Sequence, residues 1–306
     1  MTISIAVLIP CFNEALTIAK VITDFRKALP DGDIYVYDNN STDGTVAEAK
    51  KAGAIVRTEP QQGKGHVVRR MFADIDADIY VMADGDDTYD ASRAQDLVSC
   101  LIDNQLDMVV GSRSTEDHRA HSRAGHRLGN EVLTQTVRRL FGRGVTDMLS
   151  GYRIFSRRFV KSFPAIARGF EIETEITVHA LQMGLPIDEV ETNYFDRPAG
   201  STSKLNTYRD GLRILNTIFL LFRDNRPLLF FGAGFLLFAS FSIILAGPVF
   251  GTYMDTGLVP RLPTAILATG AMLLGFLSLA CGLILDSVSR GRLEAKRLRY
   301  LSIGKS

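Results

Sequence analysis

Three carboxylates crowd the segment Asp84-Gly85-Asp86-Asp87-Thr88, which ends the apolar run Asp78-Ile79-Tyr80-Val81-Met82-Ala83. Acidic groups this close repel one another unless a cation neutralises them, and hard oxygen ligands of this kind suit Mg2+ or Mn2+ bridging substrate phosphates. The run before them reads as a short buried strand. In an open α/β sheet, ligands collect beyond the carboxyl ends of the strands. An Asp-Gly-Asp alone also fits a polar turn, so its neighbours decide between the two readings.

The same punctuation recurs along the chain. Ile3 to Ile9 reads as a first strand ending in Pro10-Cys11-Phe12-Asn13-Glu14, which opens a helix to about Leu29 with Leu16, Ile18, Val21, Ile22 and Phe25 on its inner side. Asp33 to Tyr37 is a second strand, ending in Asp38-Asn39-Asn40-Ser41-Thr42-Asp43-Gly44-Thr45. Such a run is turn and helix-cap chemistry, and its first carboxylate, Asp38, can also accept hydrogen bonds from a base or ribose. Ala54 to Arg57 is a third strand, followed by Gln62-Gly63-Lys64-Gly65 at a helix start. The glycines permit close backbone approach and Lys64 suits a phosphate, although the P-loop spacing is absent. A helix from about Ala91 to Asn104 precedes a fifth strand, Asp107 to Gly111, ending in Ser112-Arg113. Alternating units of this length predict a mostly parallel sheet with helices on both faces.

Residues 114 to 127 are polar and basic, with Arg119, Arg123 and Arg127 following Arg113, which fits a solvated loop or a phosphate site. His118, His121 and His126 are too irregularly spaced for a metal centre. A helix from about Leu128 to Phe141, a turn and strand over 147–155, an amphipathic helix from Phe170 to Met183 and a last strand from Ile187 to Phe195 follow. The glutamates Glu171, Glu173 and Glu175 sit where acid favours a helix N-terminus. Arg197-Pro198-Ala199-Gly200-Ser201-Thr202-Ser203-Lys204-Leu205 is a flexible segment with a cation near its end.

The C-terminal third has a different texture. Between Tyr208 and Phe222, Leu212, Leu215, Ile218, Phe219 and Phe222 recur at helical spacing opposite Arg209, Arg213 and Asn216, as in a helix lying in a membrane interface. Residues 228–250 and 262–285 carry no charge, and each exceeds the length that crosses a bilayer. Arg223 and Arg226 before the pair and Arg290, Arg292, Lys296, Arg297 and Arg299 after it place both ends in the cytoplasm by the positive-inside rule. The expected organisation is a catalytic domain over 1–205, a juxtamembrane helix over 206–227, and a transmembrane pair with a basic cytoplasmic tail over 228–306. With 306 residues and a net charge of +1, no nucleic-acid field is implied. Three scattered cysteines support neither a disulfide framework nor a zinc site, and the N-terminus lacks the basic region of a signal peptide.

Taken in order, Ile9-Pro10-Cys11-Phe12-Asn13-Glu14, Asp38 through Thr45, Gly63-Lys64-Gly65, Asp84-Gly85-Asp86, Gly111-Ser112-Arg113 and Arg197 through Leu205 resemble a family 2 glycosyltransferase of the GT-A fold, in the dolichyl-phosphate mannose synthase-like branch that glycosylates polyprenyl phosphates. The resemblance spans about residues 3–226. It implies that Pro10, Asn13, Glu14, Asp38, Lys64, Asp84 and Gly85 bind the nucleotide, and that Asp84, Asp86 and Arg113 serve catalysis. It places Asp86 and Thr88 on Mg2+ or Mn2+, with Thr88 standing where the family commonly has Gln. Arg113, Arg123, Arg127 and Lys204 would meet the acceptor phosphate, and one of the 171–175 glutamates the sugar. The implied reaction is inverting transfer of one sugar, glucose from UDP being favoured over mannose from GDP, to a polyprenyl monophosphate at the cytoplasmic membrane, with a homo-oligomer left open. A processive polysaccharide synthase is disfavoured because its Gln-x-x-Arg-Trp motif needs a Trp and the chain has none. A nucleotidyltransferase lacks its Gly-rich opening here, and a non-catalytic membrane scaffold sits poorly with intact acidic and basic motifs.

Overall fold

A computed structural model describes residues 3–113, 145–198, 200 and 207–304, together with the isolated Gln135. The expected helix over 128–141, the three histidines, and Arg119, Arg123, Arg127 and Lys204 lie outside the described residues, apart from Gln135 within that helix.

The strands are β1 (Ile5–Cys11), β2 (Asp33–Asp38), β3 (Ile55–Thr58), β4 (Ile79–Met82), β5 (Met108–Arg113), β6 (Arg153–Ser156) and β7 (Ile187–Thr192). They form one sheet in the order β3-β2-β1-β4-β6-β5-β7. All pairings are parallel except those of β6, which lies antiparallel between β4 and β5. In the centre, β1 and β4 are apolar at almost every position because helices cover both faces: Val7, Leu8, Ile9, Val81 and Met82 are fully buried. Full burial of one such side chain stabilises the fold by ~1.5–3 kcal/mol.

The helices are α1 (Ile18–Ala28), α2 (Thr45–Lys51), α3 (Lys64–Asp74), α4 (Ala94–Asp103, entered through a 3-10 turn at Ala91–Arg93), α5 (Arg157–Ser162) and α6 (Ile172–Met183). In α1, Ile18, Val21, Ile22 and Phe25 bury one face at helical spacing. The helix begins at Ile18 rather than at Asn13-Glu14. Asn13 takes a left-handed backbone, φ 55°, while its N–H donates to Ser41 Oγ (2.8 Å) and its Oδ1 accepts from Thr42 N–H (2.8 Å). Those bonds hold residues 12–17 as a loop against the end of β2.

Pro10 lies in a central strand, a position that normally excludes proline. Leu8 and Pro10 face β4, and the β4 ladder ends at Leu8–Met82, with the Ala83 N–H donating to the Leu8 carbonyl. The N–H that Pro10 lacks therefore falls beyond the last β4 partner, where the two strands diverge and a crevice opens.

Two compact units divide the chain: residues 1–218 with 296–306, and residues 219–295. Three more helices follow β7: α7 (Thr207–Asn225), α8 (Pro227–Thr256) and α9 (Leu262–Leu301). Within the second unit, α8 and α9 are long and apolar enough to cross a membrane. They meet through small residues and short hydrogen bonds: Ser242 Oγ donates to the Ala268 carbonyl (2.7 Å) and Ser278 Oγ to the Phe231 carbonyl (2.8 Å). Leu236, Ile244, Leu277 and Ile284 are each more than 60% exposed, an apolar surface that water does not favour and lipid does. The last residues of α9 belong to the first unit. Tyr300 donates its hydroxyl to Asp107 Oδ2 (2.8 Å), Arg158 stacks over the Tyr300 ring, Lys296 reaches Gln182, and Ile303 is buried. The expected basic tail is thus, at its end, a piece of the α/β unit.

Candidate active site

The strand order reverses between β1 and β4, and the polar ends of both strands face the crevice there. Gly85 makes that convergence possible, because a Cβ at this position would come within 2.6 Å of Cys11 Sγ. Its carbonyl accepts a hydrogen bond from Thr17 Oγ1 (2.6 Å), pinning the turn after β4 to the start of α1.

The crowded carboxylates are separated, each with a cation of its own. Lys20 takes Asp87 (2.6 Å), which has a left-handed backbone and turns away toward α1. Lys64 takes Asp84 (2.5 Å), and Arg197 takes Asp86. The cation demanded by charge repulsion is supplied in this form by the chain itself. Asp86 is buried, accepts the Thr88 hydroxyl on Oδ1 (2.6 Å), and has its carboxyl pushed up by burial and by Asp84 beside it. Thr88, fully buried, orients Asp86 through that bond.

Lys64 does more than pair with Asp84. Its ammonium also contacts Glu173 Oε1 (2.6 Å), and both Lys64 and Glu173 are nearly fully buried. Burial opposes the ammonium, but Asp84 and Glu173 outweigh it and hold Lys64 protonated well above its ordinary range. The flanking glycines serve packing inside the chain. A side chain on Gly63 would strike the Arg168 carbonyl and one on Gly65 the Ala167 carbonyl, while the Gly65 N–H donates to Arg168 O (3.1 Å). That opposing loop is fixed by two carboxylates of α6 and its approach: Glu175 accepts from the N–H groups of Ile166 and Ala167, and Glu171 from those of Arg168 and Gly169.

Arg113, at the end of β5, forms a two-pronged pair with Asp147, Nε to Oδ2 at 2.6 Å and Nη2 to Oδ1 at 2.7 Å, and lies over the Tyr194 ring. Burial works against its charge, but Asp147 holds it above its ordinary value. The turn carrying Asp147 is clamped from below by the fully buried Arg153, which donates to the carbonyls of Met148 (2.6 Å) and Ser150 (2.8 Å). The turn ends at Gly151, whose N–H donates to the Tyr89 hydroxyl (2.8 Å). A Cβ at Gly151 would fall 2.7 Å from Asp84 Oδ2 and 3.1 Å from Lys64 Nζ.

Across the crevice, Asn13, Glu14 and Asp38 cluster at the ends of β1 and β2. The Glu14 N–H donates to Thr45 Oγ1 (2.8 Å), and the buried Asp38 carboxylate accepts from the Ser41 N–H (3.2 Å). Asn39 ties this end to the lysine loop, its amide donating to the carbonyls of Glu59 (2.9 Å) and Gln61 (2.8 Å) and accepting from the Gly63 N–H (2.7 Å). The structure therefore brings together Pro10, Asn13, Glu14, Asp38, Lys64, Asp84, Gly85, Asp86 and Thr88, with Arg113 held beside them by Asp147. The pairing roles of Asn39, Asp147, Glu173 and Arg197 carry no local sequence signal, because each acts across a long chain separation.

Asp84 and Asp86 fit a divalent cation of a particular kind. Among the described residues no group of three or more His, Cys, Asp or Glu side chains forms a complete metal cage. Two carboxylates short of a cage match Mg2+ or Mn2+ shared with phosphate oxygens.

The mixed α/β sheet, with its acid pair at the β1/β4 reversal, has the GT-A-like architecture of solved glycosyltransferases. The chain belongs to glycosyl transferase family 2, whose family model matches residues 6–163. It is similar to the glycosyltransferase AglJ of Haloferax volcanii, 33% identical over 304 residues, covering 97% of this chain and 98% of that one. The dolichyl-phosphate hexose transferase of the same organism is 28% identical over 214 residues, 70% of this chain and 92% of its own length. Among solved structures, glucosyl-3-phosphoglycerate synthase of Mycobacterium tuberculosis in complex with Mn2+, uridine diphosphate and glucosyl-3-phosphoglycerate superposes with a TM-score of 0.57 at 26% identity, covering 71% of this chain and 80% of that chain. The protein is accordingly a glycosyltransferase.

Proposed function

We propose that this enzyme transfers a single hexose, with inversion, from a nucleotide sugar to a polyprenyl monophosphate at the cytoplasmic face of a membrane. UDP-glucose is the favoured donor, supported by the uridine diphosphate and Mn2+ bound in the structural neighbour. The lipid acceptor is supported by the dolichyl-phosphate hexose transferase relative and by the two membrane-length helices. The observation that carries the reading is the Asp84/Asp86 pair, backed by Lys64 and Arg197, at the mouth of the crevice in a chain with those helices.

In this reading Asn13, Glu14 and Asp38 hold the nucleoside, where the buried Asp38 carboxylate accepts from base or ribose. Asp84 and Asp86 hold a divalent cation, which supplies charge stabilisation to the departing diphosphate. Lys64 lies beside the same diphosphate. The acceptor phosphate is already ionised near neutral pH, so the nucleophile requires positioning rather than a strong base. Arg113, oriented by Asp147, is assigned to that phosphate, and the sequence resemblance assigns Arg123, Arg127 and Lys204 to it as well. The proposed topology, with both ends of the membrane pair on the cytoplasmic side, is supported by the grouping of residues 296–306 with residues 1–218.

The test is a transfer assay with purified full-length protein in detergent, undecaprenyl phosphate, Mn2+ or Mg2+, and a panel of radiolabelled UDP- and GDP-sugars. Label from one donor entering the organic phase and stopping on addition of EDTA is the expected result. Nucleotide binding without lipid labelling by any donor overturns the acceptor assignment.

A further inference from the structure

Lys64 is shared, and the second acid that shares it does not face the crevice mouth as Asp84 does. Glu173 stands on the first turn of α6, its side chain 5% exposed, and holds the ammonium at 2.6 Å, against 2.5 Å for Asp84, whose side chain is 29% exposed. Glu173 is itself pushed up by burial and drawn back by Lys64, so its ionisation and the position of Lys64 depend on each other. Gly151 brings the backbone against the pair, since a Cβ there would fall 2.7 Å from Asp84 Oδ2 and 3.1 Å from Lys64 Nζ.

We propose that Glu173 is a positioning residue that sets the metal affinity of the site by sharing the Lys64 ammonium with Asp84. Three carboxylates, Asp84, Asp86 and Glu173, share two ion-paired cations, Lys64 and Arg197, with the buried Arg153 guanidinium acting on Glu173 from further away. Neutralising Glu173 acts twice in one direction. It takes one negative charge from the cluster, and it leaves Asp84 as the acid that alone carries the Lys64 ammonium, which there competes with a metal ion. Binding of an anion without metal is affected in the opposite sense, since the cluster becomes less negative.

This inference rests on the metal–diphosphate reading of Asp84 and Asp86, and the experiment separates the two. Mn2+ is titrated into the full chain in detergent with saturating UDP and followed by electron paramagnetic resonance, with UDP affinity in the absence of metal measured by calorimetry and unfolding temperature as a control. Glu173→Gln is expected to weaken Mn2+ binding about tenfold, the size of effect one charge in a buried cluster produces. Glu173→Asp is expected to restore it to within about threefold, and metal-free UDP is expected to bind the Gln variant no more weakly than wild type. A wild-type protein that binds no Mn2+ removes the metal reading, and this proposal with it. Wild-type and Glu173→Gln proteins with equal Mn2+ affinity overturn the proposal alone. Parallel loss of Mn2+ binding, metal-free UDP binding and unfolding temperature assigns Glu173 a purely structural role and overturns it as well.

Discussion

Replacing Lys64 by Met keeps most of the side-chain volume and removes the ammonium from between Asp84 and Glu173. The cost is unequal on the two sides: Asp84 retains 29% exposure and regains water, whereas Glu173 at 5% does not. Removing one partner of a buried pair costs ~3–5 kcal/mol, and with one of the acids partly solvated the low end, ~3 kcal/mol, applies. For a unit of this size that corresponds to a fall of roughly 6–12 °C in unfolding temperature. The loss depends on pH. Glu173 already sits above its ordinary value of 4.5, and it rises further without Lys64. A carboxyl raised in the folded state contributes stability that is fully present below its unfolded value and is lost as pH climbs through the folded one. Lys64→Met is therefore less impaired at about pH 5 than at about pH 8, while Lys64 in the wild type, raised above 10.5, contributes evenly across that window. Adding Glu173→Gln to Lys64→Met should recover ~2 kcal/mol relative to additivity. Denaturant unfolding of the four proteins at both pH values measures this. A single-variant loss under ~1 kcal/mol, or strictly additive effects, would refute the buried-pair argument.

Three further outcomes are expected. Asp86→Ala abolishes sugar transfer, and near-normal turnover by that variant in detergent would remove Asp86 from the metal. Arg113→Ala raises the apparent requirement for lipid acceptor far more than for donor, and Asp147→Asn does the same to a smaller extent because Asp147 holds both prongs of the guanidinium; equal effects on donor and acceptor would contradict the assignment. Tyr300→Phe takes one hydrogen bond from the buried Asp107 carboxylate and lowers stability by ~1–2 kcal/mol. Since Asp107 precedes β5, at the sheet end opposite Asp84 and Asp86, KM values stay unchanged; altered donor affinity would show that the C-terminal contact reaches the site.

The sequence made the parallel part of the sheet legible because buried parallel strands are continuous apolar runs ending in polar turns, as in Ile5–Cys11 and Ile79–Met82. The site residues were legible for the same reason: they are the polar punctuation at those ends. The insertion of β6 between β4 and β5 was not, since Arg153-Ile154-Phe155 has no local feature that selects its neighbours or its direction. The close backbone approach that Gly63 and Gly65 permit is legible in the sequence, but its partners, the carbonyls of Arg168 and Ala167, are not. The start of α1 was misplaced because Asn13 bonds to Ser41 and Thr42, a contact 28 and 29 residues away that no helical period reveals.

The counter-ions changed the reading of the acidic cluster most. From sequence, three neighbouring carboxylates call for an external cation; in the structure Lys20, Lys64 and Arg197 answer them, two of these from 67 and 111 residues away. Only Lys20 and Asp87 form a pair remote from the chemistry. Lys64 and Arg197 each pair with one oxygen of Asp84 and Asp86, so under the proposed function a metal–nucleotide complex would exchange ion pairs instead of adding new ones. Such an exchange leaves little net Coulomb energy to be gained from charge alone. Discrimination then rests on geometry, because a ligand must offer Lys64 and Arg197 new anionic partners at the moment it offers Asp84 and Asp86 a cation. A diphosphate with its metal meets both conditions, whereas a free cation or a free phosphate meets only one.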